Sequence, residues 1–271
     1  HRDLHSFPTR RSSDLLVPER LRDFFLSLKA AVVLAPGPDD PAADGLRALG
    51  AARVLVAPSR PDPAGEIHLS DRQLSCLGLP GPREVPLIRP TREGLARARE
   101  FLEKNRLAGQ PFASFHPGSG AARKNWPLPG WLKLARAARN DLGMTPVFIL
   151  GPADKALALE LADQAPGPLA RGLPLETLTG LLALTRIHAG NDSGVSHLAA
   201  ALGVPTLAVF GPTDHRHWAP RGPRVKIVAP TRPHSFEDPP GRPAYEDVRR
   251  AWLDLYHAGS GSGAGPTFLT R

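Results

Sequence analysis

Four apolar runs between Phe112 and Phe210 each break off into a polar loop that carries glycine, and this repetition most constrains the fold. Phe112-Ala113-Ser114-Phe115 enters His116-Pro117-Gly118-Ser119-Gly120, and Pro146-Val147-Phe148-Ile149-Leu150 enters Gly151-Pro152-Ala153-Asp154. Ile187-His188-Ala189 leads to Asn191-Asp192-Ser193-Gly194, and Val209-Phe210 to Gly211-Pro212-Thr213-Asp214. Short apolar runs bounded by turn residues read as buried strands. Helical periodicity lies between them, over Pro129 to Arg139 and again at Leu198, Ala201 and Leu202. Strand alternating with helix up to about Val228 implies a parallel sheet with right-handed crossovers. Ligands of such sheets sit beyond the carboxyl ends of the strands, so the four loops should converge on one edge.

Two of these loops have the chemistry of an anion site. Asp192 or Ser193 can cap the helix that follows, and Gly194 lets a ligand approach its backbone. Free N–H groups and the positive end of the helix dipole would then face the ligand, with His197 one turn in as a further donor. A capped helix alone is weak evidence, because most bind nothing. The second loop adds weight: Gly118-Ser119-Gly120 is followed by Arg123 and Lys124, the pattern of a phosphate cradle between strand and helix. It lacks the Gly-Lys-Ser/Thr ending of a Walker loop and the glycine spacing of a dinucleotide fingerprint.

The chain of 271 residues is long enough for one large or two ordinary domains. Its net charge of +8 is compatible with an anionic membrane face or nucleic acid. Nucleic acid is disfavoured, since there is no zinc-finger spacing and no aromatic-and-basic strand motif, and aromatics are few. The lone Cys76 excludes an internal disulfide, fits a reducing compartment and reads as a buried structural thiol. No apolar run is long enough to span a bilayer. His215 and His217 lack the carboxylate or cysteine framework of a metal site and are read as structural.

The stretch His1 to Leu15 has no apolar periodicity and resembles a conceptual translation of a common DNA sequencing adapter. It is set aside, which places the start of the genuine sequence near Leu16, mid-gene. Beyond it, Ala30 to Leu34 and Arg53 to Val56 read as strands. Asp44 to Leu49, Leu69 to Leu77 and Arg92 to Asn105 read as helices. Two strands are too few for a sheet covered on both faces, so this half is expected to be incomplete. The expected organisation is an artefact at 1–15, a partial Rossmann-like domain at 16–108, a second Rossmann-like domain at 109–258 and a flexible glycine-serine tail at 259–271.

With these residues laid out, Ser114 to Val228 resembles the carboxyl half of glycosyltransferase family 9, the lipopolysaccharide heptosyltransferases. The resemblance rests on His116-Pro117-Gly118-Ser119-Gly120 with Lys124-Asn125-Trp126-Pro127, on Gly151-Pro152-Ala153-Asp154, and on Asn191-Asp192-Ser193-Gly194 with His197-Leu198-Ala199-Ala200. It extends to Phe210-Gly211-Pro212-Thr213-Asp214 with Trp218 and Pro220. It implies an α/β fold of GT-B type, two Rossmann-like domains with the nucleotide sugar held mainly by the second. It also implies transfer of heptose from ADP-heptose to a lipid-linked core oligosaccharide, with inversion and without a metal or other cofactor. The setting would be cytoplasmic, with peripheral contact at the anionic inner face of the membrane.

Carried over by position, Ser119 and Gly120 would meet the diphosphate and Lys124 would neutralise it. Asp154 would lie near the ribose or base edge, and Leu173 and its neighbours would line the adenine. Asp192 would bind sugar hydroxyls, while Ser193, Gly194 and His197 would hold phosphate. Lys124 and Asp192 are thus the candidate catalytic residues. The family's general base, a carboxylate in the first loop of the amino domain, has no counterpart in this sequence, which predicts a chain inactive as it stands. Asp39-Asp40, between Pro38 and Pro41, reads as a solvated turn and is assigned no role. Two alternatives use the same scaffold: a non-catalytic module for nucleotide sugars or anions, and a sugar-nucleotide epimerase.

Overall fold

A computed structural model describes residues 19–79, 85–230 and 241–260. The adapter-like stretch 1–15 and residues 261–271 of the expected tail lie outside them. The chain divides into two compact units, His1–Arg83 and Glu84–Arg271.

The described part of the first unit runs α1 (Glu19–Ser27), β1 (Ala31–Ala35), α2 (Pro41–Ala48), β2 (Val54–Pro58) and α3 (Leu69–Cys76). β1 and β2 pair in parallel, Ala31 opposite Val54 through Ala35 opposite Pro58. Val32 and Leu34, on alternate positions of β1, are exposed. Asp40 is more than a solvated turn residue, because its carboxylate accepts the Ala42 N–H at 2.9 Å and caps α2. Cys76 corrects its expectation as a buried thiol. It is exposed at the end of α3, a helix that buries only Leu69.

The second unit contains α4 (Arg92–Lys104), β3 (Phe112–His116), α5 (Leu128–Leu142), β4 (Thr145–Leu150), α6 (Lys155–Ala162), β5 (Leu169–Arg171) and α7 (Leu175–Leu184). It continues with β6 (Ile187–Asn191), α8 (Gly194–Ala201), β7 (Thr206–Val209), α9 (His215–Trp218), β8 (Val225–Val228) and α10 (Tyr245–Ser260). Gly259 and Ser260, expected to begin the flexible tail, therefore close α10. The strands form one sheet in the order β5-β4-β3-β6-β7-β8, every pair parallel.

β3, β4, β6 and β7 are buried on both faces, so their apolar residues are not confined to alternate positions, and the polar Ser114, His188 and Asn191 within them are hydrogen-bonded. Phe115, Phe148, Ala189 and Leu207 pack on one face, against Trp131 and Leu134 of α5 and Trp252 of α10. Phe112, Val147 and Ile149 pack on the other, against Leu102 of α4, Leu181 of α7 and Ala199 of α8. The result is a three-layer α/β/α sandwich.

The boundary at Arg83 lies upstream of the expected one at 108, and α4 explains the difference. Gly94 of α4 meets Gly180 of α7 so closely that a Cβ on Gly180 would fall 2.2 Å from the Gly94 carbonyl oxygen. Two facing glycines let the helix backbones touch, and this binds α4 into the second unit.

Candidate functional site

Strand order changes direction between β3 and β6: β4 and β5 extend to one side, β7 and β8 to the other. That junction is where an open parallel sheet leaves a crevice beyond its carboxyl edge. The His116-to-Lys124 loop leaves β3, and Asp192-Ser193 leaves β6, so the two anion-type loops flank this crevice.

Asn191 fastens the loops together. Its Oδ1 accepts the Trp126 N–H at 2.9 Å, and its Nδ2 donates to the Pro117 carbonyl at 2.7 Å. With both ends of the β3 loop tied to one buried amide, Lys124 is carried over the end of β6. Its Nζ donates to Asp192 Oδ2 at 2.7 Å. The lysine side chain is 26% exposed and the aspartate 7%, so the pair is largely shielded from water. Lys124 retains two further N–H donors for a ligand.

Ser193 occupies the cap position of α8, but its side chain makes no capping bond, and its Oγ is buried with no hydrogen-bond partner. The expected capping by Asp192 or Ser193 is therefore absent. Asp192 is paired with Lys124, and the first turn of α8 has neither a side-chain cap nor an acidic residue. The Ser196 and His197 N–H groups donate to the Ser193 carbonyl, so Gly194 and Val195 are the positions whose N–H groups an anion can meet at this positive helix end.

Ser119, Gly120, Asp154, Ser193, Gly194 and His197 line one cavity of about 560 Å³. Lys124 and Asp192 stand beside it, Asp192 preceding Ser193 in the chain. Leu173 is not among its lining residues. It packs against the core cluster that holds Leu102 and Leu181, and Leu175 and Leu178 line the cavity.

Three of these side chains already have protein partners. Ser119 Oγ lies 2.7 Å from both the Ala121 carbonyl and Asn125 Oδ1, and so shapes the loop. Asp154 is buried, accepts the Gly151 N–H at 2.7 Å, and lies against Gly118 so tightly that a Cβ there would fall 2.0 Å from its Oδ1. Its carboxylate locks the β4 turn to the β3 loop while lining the cavity. His197 is held below its ordinary pKa mainly by burial, opposed by the Asp192 charge and a hydrogen bond to the Trp218 backbone. The balance favours the uncharged imidazole.

Two buried histidines were assigned no role from the sequence: His116, which lines the cavity, and His188 beside it. His116 Nδ1 donates to the Ile149 carbonyl at 2.9 Å, and burial lowers its pKa, with that bond and the Asp154 charge opposing. His188 is fully buried, paired with Ser114 at 2.9 Å, and pushed down to about 3 by burial and then by His116. His116 opens the β3 motif loop, while the signal for His188 was a polar residue among the buried positions of a strand. No group of three or more histidine, cysteine or acidic side chains placed to hold a metal ion occurs among the described residues.

Residues 66–239 match glycosyltransferase family 9 (heptosyltransferase). The chain belongs to this family. Over 122 residues it is 32% identical to lipopolysaccharide heptosyltransferase 1 of Salmonella typhimurium, a match covering 44% of this chain and 38% of that protein. The aligned chain thus spans well under half of that relative's length. The glycosyltransferase family 9 structure from Veillonella parvula superposes with a TM-score of 0.71 at 20% identity, covering 89% of this chain and 77% of that one. The E. coli ADP-heptose lipopolysaccharide heptosyltransferase II gives 0.68 at 18%, covering 89% and 81%. These likenesses bear out the expected α/β fold of GT-B type.

Proposed function

We propose that this chain is the nucleotide-sugar-binding part of an inverting glycosyltransferase that moves heptose from ADP-heptose to a lipopolysaccharide core acceptor. Family membership supports the reaction class. The observation that carries the site is the Lys124–Asp192 pair standing beside the uncapped first turn of α8.

In the reaction an acceptor hydroxyl oxygen bonds to the anomeric carbon as the bond to the diphosphate breaks. The hydroxyl proton passes to a base, and ADP departs carrying the new negative charge. The transition state is oxocarbenium-like, with charge growing on the departing phosphate. Lys124 and the α8 N–H groups are the donors for that charge. A helix end supplies about 0.3–1 kcal/mol when exposed and up to about 2 in a partly buried site, so the lysine carries the larger share. Asp192, held in place by Lys124, presents its remaining acceptor capacity to sugar hydroxyls. No residue is assigned as the base.

Titration calorimetry with ADP and ADP-heptose tests this reading. Lys124→Ala and Asp192→Ala should each weaken binding at least threefold, and no loss in either variant would refute the site. The acceptor is lipid-linked in this reading, and the net charge of +8 suits peripheral contact with the anionic cytoplasmic leaflet. Among the described residues no helix is long and apolar enough to cross a membrane. Binding to anionic vesicles should weaken as salt rises, and salt-insensitive binding would count against an electrostatic contact.

A further inference from the structure

The cavity has two chemically different ends. Toward α8's first turn and the β3 loop it is polar. Beyond these and the β4 turn with Asp154, its lining carries the apolar side chains of Ile88, Leu175, Leu178, Leu198 and Ala201. Two of these expose more apolar surface than the core requires: Leu175 is 69% exposed and Ile88 39%.

Ile88 is the unexpected member, because it lies outside every helix and strand, in the segment before α4. It is nonetheless fixed, its backbone N–H donating to the Ala201 carbonyl at the end of α8 at 2.9 Å. That bond satisfies one of the carbonyls an α-helix leaves open at its C-terminus. It also sets the isoleucine side chain along the same helix whose first turn faces the polar end. One rigid helix thereby spaces an apolar contact from an anion contact.

We infer that Ile88 is a specificity residue for the nucleobase of a nucleoside diphosphate, covering an apolar face of the base while the α8 first turn holds the phosphates. This rests on the donor-site reading above and extends it to a segment outside the four strand-end loops. A sugar ring bristling with hydroxyls would lose hydrogen bonds against such a wall, whereas a planar base has apolar faces to bury. The cavity volume of about 560 Å³ lies within the usual range for small-molecule sites.

The experiment measures ADP and inorganic pyrophosphate affinities by calorimetry for the full chain, Ile88→Ala and Ile88→Val. Truncation to alanine should weaken ADP about fivefold to tenfold through lost apolar contact, and leave pyrophosphate within twofold. Valine, which keeps the branched wall, should stay within about twofold for both. Equal weakening of both ligands by Ile88→Ala would mean that the segment only steadies α8, and would overturn the assignment. Unchanged ADP binding would overturn it as well, while leaving the donor site intact. Failure of the unmodified chain to bind either ligand would instead remove the donor-site reading, and this inference with it. Since Ile88 is partly exposed, thermal melting should show all three chains equally folded.

Discussion

Lys124 Nζ donates to Asp192 Oδ2 at 2.7 Å, across 68 residues of sequence, and so joins the loops that follow two adjacent strands. The sequence resemblance gives these residues separate duties, the lysine on phosphate and the aspartate on sugar. In the fold they form one unit with little net charge. The lysine fixes the aspartate's rotamer, and the aspartate holds the lysine beside the cavity before any ligand arrives. A preformed pair of this kind lowers the ordering cost of binding.

Removing one partner leaves the other charge poorly solvated. Lys124→Ala should destabilise the chain by about 1–3 kcal/mol, less than a fully buried pair because the lysine is partly exposed. The double variant Lys124→Ala/Asp192→Ala should lose less than the sum of the single losses, with a coupling of about 1–2 kcal/mol. Urea denaturation of all four chains measures this. Strict additivity would mean that the pair contributes nothing to the fold.

Gly118→Ala tests the lock between the β3 and β4 loops. The added methyl group would fall 2.0 Å from Asp154 Oδ1, in a carboxylate that accepts the Gly151 N–H at 2.7 Å. Either the loop shifts or the carboxylate swings away and leaves a backbone donor unpaired. A loss of about 1–3 kcal/mol is expected. In an Asp154→Ala background the same substitution should cost much less, since the obstruction is gone. Denaturant midpoints of the two pairs decide it.

What the sequence disclosed and what it hid follow from the range of the interactions involved. The four strand-end loops were legible because a buried parallel strand is a local apolar run, and its exit needs glycine and small polar residues on the spot. Their convergence on one edge followed from the handedness of the crossovers. The Lys124–Asp192 bond was not legible, because it depends on β3 and β6 being neighbours, and strand order leaves no local trace. Leu173 and Leu175 differ by two positions, and only the start of α7 decides which one turns toward the cavity. Cys76 misled because cysteine is usually buried, while α3 has almost no buried face. Ile88 closes the short run Val85-Pro86-Leu87-Ile88, which has neither helical nor strand periodicity and so gave no sign of a place in the site.

The buried histidines make stability depend on pH. An unfolded His188 takes a proton near its ordinary 6.5, whereas the folded one does so only at about 3. Between those values the unfolded chain binds more protons, so stability is fully present above 6.5 and falls as pH drops toward 3. One such group contributes a slope of up to about 1.4 kcal/mol per pH unit. Burial of His116 and His197 lowers their pKa values and adds in the same direction. Urea midpoints measured from pH 7 to pH 4.5 should fall, and His188→Gln should show a shallower slope. An identical slope would mean that His188 does not titrate in this range.

Gly180 sets helix propensity against packing. It lies inside α7, where replacing glycine with alanine ordinarily stabilises an exposed helix by about 1 kcal/mol. Here the new Cβ would fall 2.2 Å from the Gly94 carbonyl oxygen and 2.9 Å from the Leu95 nitrogen. Both obstructing atoms belong to the backbone, so no rotamer change can relieve the clash. α4 must move away from α7, opening the layer that buries Ala98, Leu102 and Leu181. Overpacking of this kind costs about 1–3 kcal/mol, more than the gain in propensity. Gly180→Ala should therefore lower the urea midpoint. A control alanine at Gly45, an interior position of α2 where an added methyl group would meet nothing within 4 Å, should leave the midpoint unchanged or raise it. If Gly180→Ala were instead stabilising, the close contact between α4 and α7 would not exist in solution. The placement of α4 in the second unit would then lose its physical basis.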